Sequence, residues 1–153
     1  MNFVKALSGQ LAISSIHELR LINKDNCDVV VSLVRQGEGP ILQLGVQAES
    51  RGVLWFHRPL QFQGHNPPET YAARSAISCV NRYLNERLRV FVHCSQGIHR
   101  SGLVCYCALR MGGLSDDRSV ETIALTRPPA ANALTDRVRS MYRQLVSPAE
   151  RSI

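Results

Sequence analysis

The sequence has no long hydrophobic run. Among its 153 residues, no apolar segment approaches the roughly 18 residues that a membrane-spanning helix requires. The segment that begins the chain, residues 1–10, holds one lysine and no apolar stretch of the length found in signal peptides. We therefore expect a cytoplasmic protein with no stable insertion into a membrane.

The cysteines do not follow a pattern typical of disulfide-rich or zinc-binding proteins. The chain has five, an odd number, and it is long enough to bury a core without disulfide bonds. No two of them have the C-x2-C spacing of a zinc site, and the adjacent pair His93 and Cys94 does not supply it either. We expect neither a metal ion nor an organic cofactor.

Lysine is scarce, with 2 residues against 16 arginines, yet the net charge is +6. A basic surface favours anionic partners such as phosphates, nucleic acids or acidic lipids. The basic residues are scattered, without the blocks found in nucleic-acid-binding tails. Hydrophobic residues make up 44% of the chain and charged residues 20%, as in globular proteins, so we expect one domain over residues 1–153.

The secondary-structure pattern alternates between strands and helices. Apolar runs predict strands at residues 28–34, 41–46, 53–56 and 90–92, and residues 11–13 are a further short apolar segment. Helices are predicted at residues 15–23, where Ser15 and Glu18 have capping-box spacing, and at residues 69–87, 101–111, 116–127 and 133–146. Residues 58–68, rich in proline, form a loop. The alternation predicts an α/β fold with a mainly parallel sheet.

One segment carries residues that point to chemistry. Residues 90–102 read V-F-V-H-C-S-Q-G-I-H-R-S-G, a strand followed by a tight loop and a helix. Such a loop turns backbone N–H groups toward a bound anion, and the planar fork of Arg100 can grip a phosphate through two hydrogen bonds. The predicted phosphate-binding residues are Ser95, Gln96, Gly97, Ile98, His99 and Arg100.

Cys94 lies at the end of the predicted strand, inside this loop. A thiol that faces a helix N-terminus and an arginine ionises more easily than a free one, and its thiolate can attack phosphorus to form a covalent phosphoenzyme. The Ser101 hydroxyl is placed to hydrogen-bond the sulfur, and His93 is expected to hold the loop rather than act as a base. The alternative is a buried, inert cysteine beside a surface arginine.

The complete string H-C-x2-G-x2-R-S is more specific than the C-x5-R spacing alone. It resembles the signature of the cysteine-dependent protein tyrosine phosphatase superfamily, most closely the small dual-specificity branch. Residues 28–33 resemble the early strand of that family, residues 58–68 the loop that carries its general acid, and residues 126–128 a region after the signature helix.

The resemblance implies a single α/β domain with a central, mainly parallel sheet flanked by helices. It places the signature loop at the carboxyl edge of the sheet and implies no metal. It also implies that Cys94 is the nucleophile, Arg100 the phosphate clamp and Ser101 the group that stabilises the thiolate.

The sequence departs from this family at the general acid. The family places an aspartate well before the cysteine, but no aspartate lies between Asp28 and Asp116 in this chain. Aligning Pro67 and Pro68 with the family loop puts Gly64 near the expected position, with Gln63 beside it. His65 and Glu69 are the nearby candidates for a replacement acid, and for His65 the alternative is an exposed loop residue without a catalytic role.

A second departure concerns the hydrolytic water. Many relatives carry a glutamine near the last helix that positions this water, and Asp136 falls roughly at that place here. Asp136 is therefore a candidate for positioning water. The alternative is that it caps the final helix or pairs with Arg139 or Arg143 on the surface.

The missing aspartate affects which substrates are expected. General acid catalysis matters most for strongly basic leaving groups, so we expect hydrolysis of aryl phosphates, above all phosphotyrosine, with dual specificity open. The partner would then be a phosphorylated protein or another phosphate-bearing molecule. The alternatives are the same chemistry on an RNA 5′ end, a nucleotide or a phosphoinositide, and a pseudophosphatase that binds phosphate without hydrolysing it.

Overall fold

The computed structural model describes residues 1–146 of the chain. Its strands are β1 (Val4–Ala6), β2 (Gly9–Ser15), β3 (Val29–Ser32), β4 (Leu54–His57) and β5 (Arg89–Cys94). They form one five-stranded sheet in the order β1-β2-β5-β3-β4. Strands β2, β5, β3 and β4 run parallel, and β1 runs antiparallel to β2. The predicted α/β fold with a mainly parallel sheet is confirmed.

Helices flank this sheet. They are a 3-10 helix (Ile16–Leu21), α1 (Ile41–Ser50), α2 (Thr70–Asn85), α3 (His99–Met111), α4 (Asp116–Thr126), α5 (Pro128–Asn132), α6 (Asp136–Ser140) and α7 (Tyr142–Leu145). Helix α1 packs against β4 and the 3-10 helix, whereas α2 and α3 pack together and against β5. Within residues 1–146, none of these helices combines the length and apolar character needed to span a bilayer.

The central strand β5 brings the signature loop to one edge of the sheet. Its residues Val90, Phe91 and Val92 are fully buried between β2 and β3, which is why the strand reads as a continuous apolar run. Ser32 at the end of β3 pairs in register with His93 near the end of β5. Because these strands are parallel, the segments that follow β3 and β5 meet at the same edge.

Residues 41–46, predicted as a strand, belong instead to helix α1. The buried positions of this helix are Ile41, Gly45 and Ala48, which follow helical spacing, while Leu42 and Val46 are exposed. The strand prediction was wrong because six residues with apolar side chains at alternate positions do not reveal that the pattern continues with a period of 3.6.

The predicted capping box at Ser15 does not form. Ser15 precedes a 3-10 helix and makes no side-chain capping hydrogen bond. Glu18 pairs instead with the amino group of Met1, 3.0 Å away, so it is not available to close the box. The predicted helix over residues 15–23 is therefore a short 3-10 helix that ends at Leu21.

The last described residues form several short helices rather than the single helix that was predicted. The helix expected over residues 133–146 is divided into α6 and α7. Thr135 caps α6 by accepting a hydrogen bond from the backbone N–H of Val138, which makes residue 135 a helix boundary. Pro128 ends α4 as expected, but it also begins α5, since proline fits the first turn of a helix.

Candidate active site

Three successive carbonyl groups, at the end of β5 and in the loop before α3, are held by partners on the outer side of the loop. The carbonyl of Cys94 faces Nδ1 of His93 at 3.2 Å, and that of Ser95 accepts the backbone N–H of Ile16 at 3.3 Å. The carbonyl of Gln96 accepts Nη2 of Arg127 at 2.8 Å. Because the carbonyls turn outward, the alternating backbone turns the N–H groups toward the concave side.

Those N–H groups are free to bind an anion. Within residues 1–146, the backbone N–H groups of residues 95–97, 99 and 100 have no backbone acceptor. Helix α3 begins at His99 without a side-chain cap, so its positive end also faces this loop. Unpaired amides and a helix N-terminus together form a cradle suited to a phosphate.

Gly97 makes the tight loop possible. Its φ angle is +71°, and a Cβ atom there would lie 2.4 Å from the carbonyl oxygen of Ser14 on the neighbouring strand. A side chain would therefore clash with backbone that cannot yield, in addition to the strain of a positive φ. The loop conformation depends on a glycine at this position.

A cavity of about 210 Å³ opens over the cradle. It is lined by Phe62, Gln63, Cys94, Ser95, Gln96, Ile98, His99 and Arg100. The structure thus brings the predicted nucleophile and most of the predicted phosphate-binding residues to one cavity. The remaining wall comes from Phe62 and Gln63, which belong to the loop over residues 58–68. This is the loop that resembles the general-acid loop of the family.

Cys94 is poised to ionise although its side chain is only 3% exposed. Burial alone would raise the pKa of this thiol. Hydrogen bonds from the Ser101 hydroxyl and from the backbone N–H groups of Ser101 and Ile98, with the positive charge of Arg100, outweigh burial and lower the pKa below its usual value.

Arg100 is held in place by Glu38, which follows β3. Nη1 donates to Oε2 and Nη2 donates to Oε1, both at 2.9 Å, so the guanidinium and the carboxylate form a two-pronged pair. The hydrogen bonds from Arg100 lower the pKa of Glu38 to about 2. Glu38 therefore stays ionised at any pH at which the protein would act.

This pairing leaves one edge of the guanidinium for a ligand. Nη1 also donates to the carbonyl of Leu60 at 3.4 Å, so both of its hydrogens are used. Of the five N–H groups of Arg100, Nε–H and the second Nη2–H bind neither Glu38 nor Leu60, and they lie on the same edge. The Arg100 side chain also hydrogen-bonds the Cys94 sulfur, so its open edge lies beside the thiolate. Two parallel donors on one edge match two oxygens of a phosphate.

Glu38 was not identified from the sequence, although a signal for it exists. It stands between Gly37 and Gly39 in the loop that follows β3, a strand that is buried and nearly all apolar. The loops after neighbouring parallel strands share an edge of the sheet, so an acidic residue there can meet the arginine of the signature. The sequence does not show that β3 lies beside β5.

His93 is fully buried and neutral. Burial lowers its pKa to about 4. Trp55 donates from Nε1 to the Ser32 hydroxyl at 2.9 Å, and that hydroxyl lies 2.5 Å from Nε2 of His93. Since the Ser32 oxygen already accepts, its proton goes to Nε2, and Nδ1–H of His93 faces the carbonyl of Cys94. The position suits a residue that holds the loop, and it has no access to the cavity.

The three candidates for an acid or a water-positioning group lie outside the cavity. His65 and Glu69 line a neighbouring cavity of about 350 Å³. The Glu69 carboxylate caps α2, accepting the N–H groups of Tyr71 and Ala72 at 3.0 and 2.6 Å. Asp136 is 98% exposed on α6 and pairs with Arg139, as the alternative reading of the sequence had it.

Solved structures of phosphatases resemble this chain. Tk-PTP in its active form is 25% identical, with a TM-score of 0.64, and the match covers 89% of each chain. Human DUSP28 is 18% identical with a TM-score of 0.61, covering 94% of this chain and 99% of its own. PTPMT1, solved in complex with PI(5)P, is 15% identical with a TM-score of 0.62, covering 94% of this chain and 96% of its own.

These last two similarities show the fold alone, whereas the family is shown by sequence. No curated protein matches the chain at a significant level. Residues 8–113, which run from β2 to the end of α3, match the Tc-R-P family, described as "Polymorphic toxin system, DSP-PTPase phosphatase". The chain belongs to this family, within the cysteine-dependent, dual-specificity-like phosphatases.

Proposed function

We propose that the protein hydrolyses phosphomonoesters through a covalent phosphocysteine on Cys94. The thiolate attacks phosphorus, an S–P bond forms, and the P–O bond to the leaving group breaks. Water then attacks the same phosphorus, the S–P bond breaks, and inorganic phosphate leaves with the thiolate restored. The observation that carries the proposal is a thiol of lowered pKa beneath a ring of unpaired amides.

The residues around Cys94 bind the phosphate, stabilise the thiolate and hold the loop conformation. The N–H groups of residues 95–100 and the open edge of Arg100 hold the phosphate oxygens as negative charge develops on them. Ser101 stabilises the thiolate, which eases its departure in the second step. His93 keeps the loop in shape through the carbonyl of Cys94.

The cavity supports an aryl phosphate, above all phosphotyrosine, as substrate. Phe62 and Ile98 supply apolar wall on which an aromatic ring can pack. Among the described residues that line the cavity, Arg100 is the one arginine and there is no lysine. A phosphoinositide such as the PI(5)P bound by PTPMT1, a nucleotide or an RNA 5′ end carries further phosphates, for which this cavity supplies no further guanidinium.

A pseudophosphatase is the less supported alternative. Binding a phosphate requires the amides and Arg100, but it does not require an ionised sulfur beneath them. The hydrogen bonds that lower the pKa of Cys94 serve a nucleophile and would serve no purpose in a binding module.

The family description and the cysteines bear on the biological setting. The family name supports a role within a polymorphic toxin system, acting as its phosphatase component. All five cysteines are unpaired, and a catalytic thiolate must stay reduced to work. This supports action in a reducing compartment such as the cytoplasm.

A panel of substrates tests the proposal. The purified protein is assayed with p-nitrophenyl phosphate, a phosphotyrosine peptide, a phosphoserine peptide, triphosphorylated RNA and a phosphoinositide, each beside the Cys94→Ser variant. We expect turnover that is fastest for the aryl phosphates, that disappears in the variant, and that leaves an acid-stable label on Cys94 when the reaction with ³²P substrate is quenched. Turnover that survives in Cys94→Ser, or none with any substrate, contradicts the proposal.

A further inference from the structure

We propose that the imidazole of His99 is the general acid of this site, which replaces the aspartate that the facing loop lacks. The inference rests on the proposed phosphocysteine mechanism and adds to it the group that protonates the leaving oxygen. It is carried by the contact between His99 and Gly64, two residues that the sequence separates and the fold brings together.

His99 shares the cavity with the reacting groups. It is the first residue of α3, directly before Arg100, and its side chain lines the cavity that Cys94 and Arg100 also line. The side chain is exposed to solvent, and it makes no hydrogen bond to any other side chain among residues 1–146. The imidazole is therefore near the phosphate site and uncommitted to another partner.

Gly64 leaves the space in which this imidazole lies. By the resemblance of the loop over residues 58–68, it lies near the position at which the family places its aspartate. A Cβ atom on Gly64 would lie 2.8 Å from Nδ1 and 3.1 Å from Cε1 of His99, so the ring fills the place where a side chain would begin. The φ angle of Gly64 is +92°, which other residues rarely adopt.

The contact also decides which nitrogen is free. The edge formed by Nδ1 and Cε1 lies against Gly64. Nε2 is then the nitrogen left for the substrate. An imidazole is the side chain best suited to exchange a proton near neutral pH, and this one lines the cavity in which the leaving oxygen would lie.

The charged groups around His99 are few. From the signature loop and α3, the groups that face the same cavity are the Cys94 thiolate and the Arg100 guanidinium. From the facing loop, the lining residues are Phe62 and Gln63, beside Gly64, and none of these titrates. A change of rate that depends on an imidazole in this cavity can thus be assigned to His99.

The proton transfers balance in both steps. As the sulfur attacks, Nε2–H of the imidazolium gives its proton to the leaving oxygen, so that an alcohol or phenol departs and the imidazole becomes neutral. As water attacks the phosphocysteine, the neutral imidazole takes one proton from that water, and the thiolate leaves as the S–P bond breaks. The imidazolium is restored for the next substrate.

The other nearby candidates are less well placed. His65 lines the neighbouring cavity, whose lining does not include Cys94. The Glu69 carboxylate holds two backbone N–H groups at the start of α2, and leaving them would cost the helix its cap. Neither side chain shares the cavity with the phosphate cradle.

A series of aryl phosphates with leaving groups of rising basicity tests the proposal. In His99→Gln, we expect kcat/KM to fall by about 10²–10⁴-fold for the most basic leaving groups and by roughly threefold or less for p-nitrophenyl phosphate, so the dependence on leaving-group pKa steepens. His65→Gln is the matched control and should behave as the wild type.

Each other outcome overturns the assignment. An equal loss across the whole series means that His99 only positions the loop, and a steepened series in His65→Gln gives the role to that residue. Full loss of activity in Cys94→Ser, measured in parallel, keeps the phosphocysteine mechanism separate from the identity of the acid. His99 is exposed, so its variant is expected to fold, and circular dichroism and thermal unfolding beside the wild type verify this.

Discussion

The two walls of the cavity are built in different ways. On one wall, the signature loop has its carbonyls held from outside, its amides open and its arginine fixed by Glu38. On the other wall, the loop over residues 58–68 contributes Phe62 and Gln63, and no carboxylate from it lines the cavity. The first wall is organised to stabilise charge, and the second is organised to contact a substrate.

This difference concerns two contributions to the rate, charge stabilisation and general acid catalysis. Each preorganised donor to a developing oxyanion is worth about 10²–10³ in rate, and a general acid about 10²–10⁴. Here both contributions would come from the signature loop and the first residue of α3. The facing loop is then free to vary with the substrate.

The largest effect is expected from breaking the charged wall itself. In Arg100→Ala, the bidentate edge for the phosphate is lost, and the half-buried Glu38 carboxylate keeps only its contacts with Arg35. We expect kcat/KM for p-nitrophenyl phosphate to fall by at least about 10²-fold. Arg58→Ala, which removes a guanidinium that stacks on Phe56 outside the cavity, is the control and should retain most activity. Comparable losses in both variants would contradict the role given to Arg100.

A smaller effect is expected from loosening the arginine without removing it. Glu38→Gln keeps the shape of the side chain but turns a charged pair into a neutral one. The loss of a charge-assisted hydrogen bond is worth at least about 1.5 kcal/mol, so we expect kcat/KM to fall roughly tenfold.

The control for this variant is Glu86→Gln. It breaks an exposed pair with Arg82 on the surface of α2 and should leave kcat/KM unchanged. If Glu38→Gln were as active as the wild type, Arg100 would be positioned by its other contacts alone.

Residues of the candidate site can be predicted from the sequence when they are contiguous in the chain. Residues 93–101 carry the nucleophile, the amides and the arginine in one stretch, so their arrangement follows from a single strand–loop–helix pattern. Glu38 and Ser14 contact that stretch from other parts of the chain. Their positions depend on the strand order β2-β5-β3, which local patterns do not contain.

The errors in the predicted secondary structure have a related cause. Residues 41–46 alternate like a strand, and only the burial of Ala48 on the same face as Ile41 reveals α1. Strand β1 was missed because Val4–Ala6 is three residues long and partly exposed, and its pairing with β2 is what makes it a strand. Tertiary packing decides such short segments.

The smallest effect on catalysis, with a distinct effect on stability, is expected from His93. Burial lowers its pKa from 6.5 to about 4. Between these pH values the unfolded chain therefore binds a proton at His93, whereas the folded chain does not. The free energy of unfolding should therefore decline as pH is lowered from 6.5 toward 4. Urea unfolding across this range should show a shallower decline in His93→Asn than in the wild type. Equal slopes would contradict a neutral, buried His93.

The central claim is that the sulfur of Cys94 is ionised, and its reactivity measures this directly. The other cysteines are buried and have raised pKa values, including Cys27 at about 11 and Cys107 at about 12, so iodoacetamide should report on Cys94 alone. Mass spectrometry of the peptide that contains Cys94 provides the readout, with the Cys94→Ser protein as the blank.

The rate of this alkylation is measured against pH, with and without inorganic phosphate. We expect a midpoint below the usual cysteine value of 9.0, protection by phosphate, and a shift to higher pH in Ser101→Ala. The control is Ser119→Ala, which removes a buried hydroxyl that does not line the cavity. A midpoint at or above 9.0, or alkylation that phosphate does not slow, would contradict the account.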